Sequence, residues 1–370
     1  MLFKSVVGQE KIINHLLEEV NNEKISHAQL FLGKPGHGGL PLALAFAQYV
    51  FCEDKKEKDS CGVCPACLKI KKLEHPDLHF SFPTSQSISK TSNPLLTDWR
   101  DQIKENPYFN LNTWLKRTDP KERKPIISVL ESQEIIKKLT LKSFEGGYKM
   151  MIIWMPEEMN PQCANKLLKI LEEPPTKTIF ILIAQSQDYM LQTILSRTQK
   201  VVLPKLEWNE ITEHLKKKLG KTPSDSVLSR AEGDLIEAIE LANENDDDAV
   251  YSQSFIQLMR VCYKKNVLDM ITWAEDIAKT NKENQKQFLK YAIHMFRQSL
   301  LRNYTGDTLT RVSPSEDAFL ENFAKFITGN NIQNMTESFS DSVYYIERNA
   351  NSKILFTNLC FQVMRHIHAA

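Results

Sequence analysis

Four of the seven cysteines, Cys52, Cys61, Cys64 and Cys67, are spaced C-x8-C-x2-C-x2-C, while the other three are scattered. The two short intervals let backbone turns aim successive thiolates at one ion, and Gly62 and Pro65 sit inside them as tight turns require. Four sulfurs suit tetrahedral zinc at a closed structural site, with no open position for metal catalysis. An iron-sulfur cluster is the rival, since C-x2-C-x2-C also occurs in ferredoxins, although no Cys-Pro follows. Free thiols are the third case. An odd cysteine total with one local cluster argues for metal and against a disulfide framework.

A second stretch, Gly33-Lys34-Pro35-Gly36-His37-Gly38-Gly39-Leu40, has the glycine frame of a phosphate-binding loop without its chemistry. In a working G-x-x-x-x-G-K-[ST] loop, the lysine reaches the β and γ phosphates and the hydroxyl holds magnesium. Here Gly39 and Leu40 stand at those positions and can do neither. Lys34 is no substitute, because it lies at the start of the loop and its side chain leaves the turn in another direction. An isolated glycine-rich turn arises by chance about as often as by descent, so the context decides.

That context contains a second defect. A strand ending at Met150 to Trp154 should deliver an acidic pair if it organised magnesium and water. It reads Trp154-Met155-Pro156 instead, and Glu157 and Glu158 come late; a register slip could move one inward, but the edge of the following loop is the expected place. One potential electrostatic group remains, in Ser196-Arg197-Thr198. An arginine at the rim of an oligomeric α/β domain can reach a neighbour's γ-phosphate, although a surface arginine taken alone is a solvating residue.

The elements that position these residues follow from hydrophobic pattern. Apolar runs at Ala28 to Leu32, Leu78 to Phe82, Met150 to Trp154, Ile179 to Ala184 and Val201 to Leu203 alternate with helical patterns. They predict five parallel strands of an α/β fold, covered on both faces. Between the third and fourth runs a helix is predicted with Asn160 as cap, Pro161 at its first position and an apolar face of Ala164, Leu167, Leu168 and Leu171. Glu172-Glu173-Pro174-Pro175 stops it. After Pro204 the pattern is helical throughout, interrupted by the linker-like stretch Asn243-Glu244-Asn245-Asp246-Asp247-Asp248. The expected organisation is an α/β domain over 1–206, a small helical lid over 207–243 and a helical domain over 249–370. Residues 83–127 break the alternation as an excursion carrying Trp99, Tyr108, Phe109 and Trp114. Packing of these rings onto the parent domain is expected ahead of stacking on bases, and the sequence assigns the excursion no role.

The net charge of +1 gives no general pull toward nucleic acid, and 42% hydrophobic residues suffice for more than one core. No apolar run approaches a membrane span, and a soluble cytoplasmic protein is expected.

Together the motifs resemble the δ′ family of bacterial DNA polymerase III clamp loaders, AAA+ relatives of the γ/τ subunits. The resemblance runs from Val7-Gly8-Gln9-Glu10 through His27-Ala28-Gln29-Leu30-Phe31-Leu32-Gly33, the cysteine quartet and His75-Pro76-Asp77. It continues through Ala164-Asn165-Lys166-Leu167-Leu168-Lys169-Ile170-Leu171-Glu172-Glu173-Pro174-Pro175 to Leu195-Ser196-Arg197. It covers residues 1 to about 240, without 83–127, and is architectural beyond. The resemblance implies an AAA+ α/β domain with a structural zinc module at 52–67, a lid and a helical collar that joins subunits. It further implies a stator that binds no ATP productively at Gly33, Gly36, Gly38, Gly39 and Leu40. Its arginine finger, Arg197 beside Ser196, would serve a neighbouring ATPase. Thr198 departs from the family's usual cysteine. The implied partners are γ/τ and δ subunits, and through the assembly a sliding clamp and primed DNA, with no membrane. Two other readings are a γ/τ-type ATPase, which needs the lysine and hydroxyl missing at 39 and 40, and an iron-sulfur redox protein.

Overall fold

The five apolar runs form one parallel sheet of β1 (Ala28–Leu32), β2 (Leu78–Ser81), β3 (Lys149–Trp154), β4 (Thr178–Ala184) and β5 (Gln199–Val202), ordered β2-β3-β4-β1-β5. The computed structural model describes all residues except 122, 221, 244–246, 307–308, 313, 348–349 and 369–370. Strands β3 and β4 are buried along their whole length, as continuous apolar runs require of a sheet covered on both faces. The edge strand β5 departs from that expectation. It begins at Gln199, where pairing with Gln29 of β1 sets its start, and its Gln199, Lys200 and Val202 are exposed.

Two helical layers cover the sheet. On one face lies α2 (Gly39–Phe51), after α1 (Glu10–Asn21), packed on Phe31, Met150, Ile152, Ile179 and Ile181. On the other, α6 (Val129–Thr140) and α7 (Pro161–Glu172) pack on Leu30, Met151, Ile153, Phe180 and Leu182. Successive strand residues thus serve opposite layers, the period of two that a strand imposes. At the start of α7 the Asn160 side chain accepts the Cys163 N–H at 2.7 Å, the expected cap. The buried face of α7 includes Cys163 and Ile170 as well as Ala164, Leu167 and Leu171, while Leu168 is only partly buried.

Between α2 and β2 lies α3 (Pro65–Lys71), which is capped by Cys64 and carries Cys67. The excursion is folded, with α4 (Leu96–Glu105) and α5 (Leu111–Thr118) closed by an antiparallel bridge between Thr84 and Ile126. Trp99 and Trp114 are fully buried and Tyr108 and Phe109 nearly so, which places the aromatics in the domain's interior. Trp99 stacks on Phe82 at 4.3 Å and meets Trp114 and Trp154 at 5.2 Å each. The sheet region closes with α8 (Gln192–Leu195) and α9 (Trp208–Leu219), the latter started by a reciprocal cap between Glu207 and Glu210.

The chain divides into two compact units, Met1–Thr222 with Ala231–Ile239, and Pro223–Arg230 with Glu240–Ala370. The short helices α10 (Asp225–Ala231) and α11 (Leu235–Asn243) straddle that division. The second unit is helical, with α12 (Asp247–Tyr263), α13 (Val267–Ala278), α14 (Lys282–Thr305), α15 (Pro314–Phe323), α16 (Ile332–Glu347) and α17 (Ser352–His368). Its core is built on Phe255, Trp273, Phe288, Phe296, Phe339 and Phe356. The acid-rich stretch expected as a linker lies partly outside the described residues, at 244–246. Among the described residues no helix is long and apolar enough to cross a membrane.

Candidate functional site: a narrow cleft, a four-cysteine cluster and a half-buried arginine

In an open parallel sheet, ligands bind beyond the carboxyl ends of the strands where strand order reverses. Here that place lies between β1 and β4, and the Gly33 to Leu40 loop occupies it. The cleft is lined by Gly33, Lys34, Gly39 and Leu40 together with Pro107, Phe109 and Trp154. The remaining volume is about 10 Å³, room for at most one water. Trp154, the residue at the end of β3, packs its ring 5.1 Å from Phe109 of the excursion.

The loop itself is tied down by protein. A Cβ at Gly39 would meet Ile183 Cγ2 at 2.9 Å and Leu203 Cδ1 at 3.2 Å, so a side chain at the lysine position has no ready path. A Cβ at Gly36 would lie 1.8 Å from Asp234 Oδ1. Only glycine permits that approach, and it sets a carboxylate against a loop whose usual ligand is an anion. Gln9, in the left-handed region at φ 66°, donates from Nε2 to His37 O at 3.0 Å and Pro204 O at 2.8 Å. Tyr108 accepts the Val7 N–H on its hydroxyl at 2.8 Å, and its ring lies against Gly38.

The strand end beyond Trp154 differs from its expected form. Met155 takes a left-handed conformation, φ 58°, which folds Pro156–Glu158 into a short turn. Glu157 therefore points inward. Its Oε1 accepts the Gln185 N–H at 2.8 Å, its Oε2 is buried without a hydrogen-bond partner, and burial pushes its carboxyl up to about 7. A non-glycine residue at positive φ leaves no clear sequence signal, so the inward carboxylate, the lesser of the two sequence readings, is the one found.

The four cysteine sulfurs all lie within 4.8 Å of one another, and Cys61 Sγ is 3.9 Å from Cys67 Sγ. A single ion with bonds of about 2.3 Å to four tetrahedral sulfurs gives sulfur separations of about 3.8 Å, so the donor set fits one structural metal such as zinc. A cluster would hold iron and sulfide between the cysteines and spread them further. Backbone N–H groups point at the sulfurs: Cys61 donates to Cys52 Sγ at 3.3 Å, Cys64 to Cys61 Sγ at 3.3 Å and Cys67 to Cys64 Sγ at 3.5 Å. The donations from Val63 and Cys64 hold the Cys61 thiol down to about 7, while burial pushes those of Cys52 and Cys67 up. His75 and Asp77 lie outside the quartet and serve structure. His75 packs on Phe51 at 4.3 Å, and Asp77 accepts the N–H groups of Phe144 and Glu145 at 2.7 and 3.0 Å.

Arg197 follows the one-turn helix α8 at the surface. Its Nε donates to Glu172 Oε2 at 3.1 Å, and its Nη1 donates to Thr193 O at 3.1 Å and Ser196 Oγ at 3.3 Å. The Thr198 hydroxyl donates back to Ile194 O at 3.2 Å, so threonine there serves the helix end. The structure thus brings Ser196 and Arg197 together with Glu172, whose part was not evident from sequence because the pair is separated by a strand and a loop.

The family model described as "DNA polymerase III, delta subunit" matches residues 8–207. The chain belongs to that family. Among curated relatives, the DNA polymerase III subunit delta′ of Bacillus subtilis is 28% identical over 257 residues, covering 70% of this chain and 66% of that protein. Subunit tau of the same organism is 26% identical over 321 residues, covering 81% of this chain and 50% of tau. Delta′ of Yersinia pestis is 29% identical over 173 residues, covering 46% of this chain and 39% of that protein. The chain therefore spans from 39% to 66% of these relatives' lengths. Among solved structures, a gamma subunit-related protein of DNA polymerase III from Thermotoga maritima aligns over 96% of this chain and 99% of its own, at 15% identity and TM-score 0.41. The DNA polymerase III family match spans the loop, the cysteine quartet, α7 and Arg197, so the three sites belong to one family domain.

Proposed function

We propose that this chain is a δ′-type subunit of a DNA polymerase III clamp loader that hydrolyses no nucleotide itself and lends an arginine to a neighbouring ATPase subunit. The observation that carries this reading is the narrow cleft: Phe109 and Trp154 line it beside Gly39 and Leu40, and its volume is about 10 Å³, far too small for a nucleotide. A subunit with no room for ATP still contributes to turnover if it completes a neighbour's site. Arg197, 30% exposed with an unpartnered Nη2 among the described residues, is the group suited to that. In this role its partners are γ/τ-type and δ-type subunits, and the clamp and primed DNA are met through the assembly. The cysteine quartet holds zinc as a structural ion. The helices from 249 onward form the collar between subunits, with 207–243 as the lid of the AAA+ domain.

The similarity to tau over 81% of the chain favours a second reading, an ATP-hydrolysing γ/τ-type subunit. That reading needs a charged side chain at 39 and space for phosphates, and Ile183 and Phe109 stand in the way. The deciding experiment reconstitutes the loader with Arg197→Ala. Loss of clamp-stimulated ATPase with normal incorporation supports the in-trans role, and unchanged turnover refutes it. ATPase activity of the isolated chain would support the γ/τ-type reading.

A further inference from the structure

We propose that Glu172 is a positioning residue for Arg197, holding the guanidinium so that its outer edge faces a neighbouring subunit; this rests on the reading of Arg197 as an in-trans arginine. A guanidinium carries five N–H donors in a rigid fork. In this chain three inner donors are spent, Nε on Glu172 Oε2 and the two of Nη1 on Thr193 O and Ser196 Oγ. Both N–H groups of Nη2 remain without a partner among the described residues. The guanidinium is therefore held at two of its nitrogens, Nε and Nη1, and its Nη2 end is left to donate to an incoming phosphate oxygen. A free arginine would first have to give up much rotamer freedom to reach that orientation.

The place of Glu172 supports a role toward Arg197 over one in its own helix. It is the last residue of α7, where a carboxylate faces the negative end of the helix dipole and weakens the helix. It caps nothing, since its Oε2 is directed at Arg197 from across the loop that β4 and α8 span. Glu173-Pro174-Pro175 ends the helix directly after it and so fixes where the carboxylate stands. Glu172 is also 58% exposed, so its truncation leaves no buried hole and the variant keeps its fold.

The test compares the reconstituted loader carrying wild-type chain, Glu172→Ala, Glu172→Gln, Arg197→Ala and the Glu172→Ala/Arg197→Ala pair, with kcat and KM for ATP measured for each. An exposed pair of this kind predicts that Glu172→Ala removes about two thirds of the Arg197-dependent kcat, with KM for ATP unchanged within about twofold. Glutamine keeps an acceptor for Nε, so Glu172→Gln should restore most of the loss. The double variant should match Arg197→Ala alone, because a residue acting only through Arg197 has nothing further to lose. If Arg197→Ala lowers turnover and Glu172→Ala does not, the positioning role fails while the arginine's role stands. If the two losses multiply, Glu172 acts elsewhere and the inference is overturned. If Arg197→Ala itself changes nothing, the in-trans reading fails and this inference with it.

Discussion

The Phe109 ring lies 5.1 Å from the Trp154 ring across the mouth of the Gly33 to Leu40 loop, one ring from the excursion and one from the end of β3. This contact brings the excursion to the loop, since both rings line the cleft beside Gly39 and Leu40. On the proposed non-hydrolysing reading, the departure from a working loop goes deeper than two substitutions. Restoring only the missing motif residues, Gly39→Lys with Leu40→Ser, should therefore yield no ATP binding by isothermal titration at millimolar nucleotide. Lysine at 39 would have to pass Ile183 Cγ2, 2.9 Å from the position of its Cβ, and Asp234 would still oppose phosphate at Gly36. Tight binding by this double variant would show that the cleft opens readily and that the two lost residues were the whole defect.

The sulfurs of Cys52, Cys61, Cys64 and Cys67 form a closed set, and Cys64 also starts α3 by accepting the Cys67 N–H. Metal analysis should find about one zinc per chain, falling to near zero in Cys64→Ser or after chelation at low pH, because thiolate ligation competes with protons. Hydrogen exchange should then report faster exchange in Pro65–Lys71 while α6 and α7 stay protected. A metal-free chain with unchanged exchange in α3 would mean that the cysteines hold no ion.

Glu157 offers a pH test independent of any partner. Its carboxyl is pushed up to about 7 by burial, so between its ordinary value of 4.5 and about 7 the folded state binds more protons than the unfolded state. Stability contributed by this group is therefore full below pH 4.5 and declines as pH rises through 7. Glu157→Gln keeps an acceptor for the Gln185 N–H and removes the charge. Denaturation of this variant at pH 8 should show a gain of about 3 kcal/mol over the wild type, falling to about 1 kcal/mol near pH 5. An equal difference at both pH values would place the carboxyl in water.

Local signals in the sequence were enough for the elements that are locally determined. Asn160 and Pro161 start α7, and the double proline after Glu173 stops it, because caps and stops act over one helical turn. The central strands β1, β3 and β4 read as mostly apolar runs for the same reason that they are covered on both faces. The edge strand β5 was displaced because pairing with β1, and not burial, decides where it begins. The cysteine quartet was legible from spacing alone. The contacts that decide the nucleotide site were not, since Phe109 on Trp154, Asp234 against Gly36 and Glu172 on Arg197 each join distant parts of the chain. The composition of 83–127 suggested a loop because it is rich in Ser, Thr, Asn and Pro and breaks the strand–helix alternation. Burial of Trp99 and Trp114 shows that a few large rings serve as its core.

The excursion's attachment can be measured at two of its aromatic residues with different chemistry. Trp99 is fully buried and in ring contact with Phe80, Phe82, Phe109, Trp114 and Trp154, so Trp99→Ala should destabilise the first unit by about 4 kcal/mol through lost burial and a cavity. Tyr108→Phe keeps the ring and removes only the hydroxyl that accepts the Val7 N–H, at a cost of about 1 kcal/mol. Both costs should appear in denaturant titrations of the whole chain, in the transition of the first unit. Tyr108→Phe should additionally speed hydrogen exchange at Val7, because no other acceptor then faces that N–H. If both variants unfold at the wild-type denaturant concentration, the excursion is held to the sheet by neither ring. Phe109 would then have no firm base from which to line the cleft.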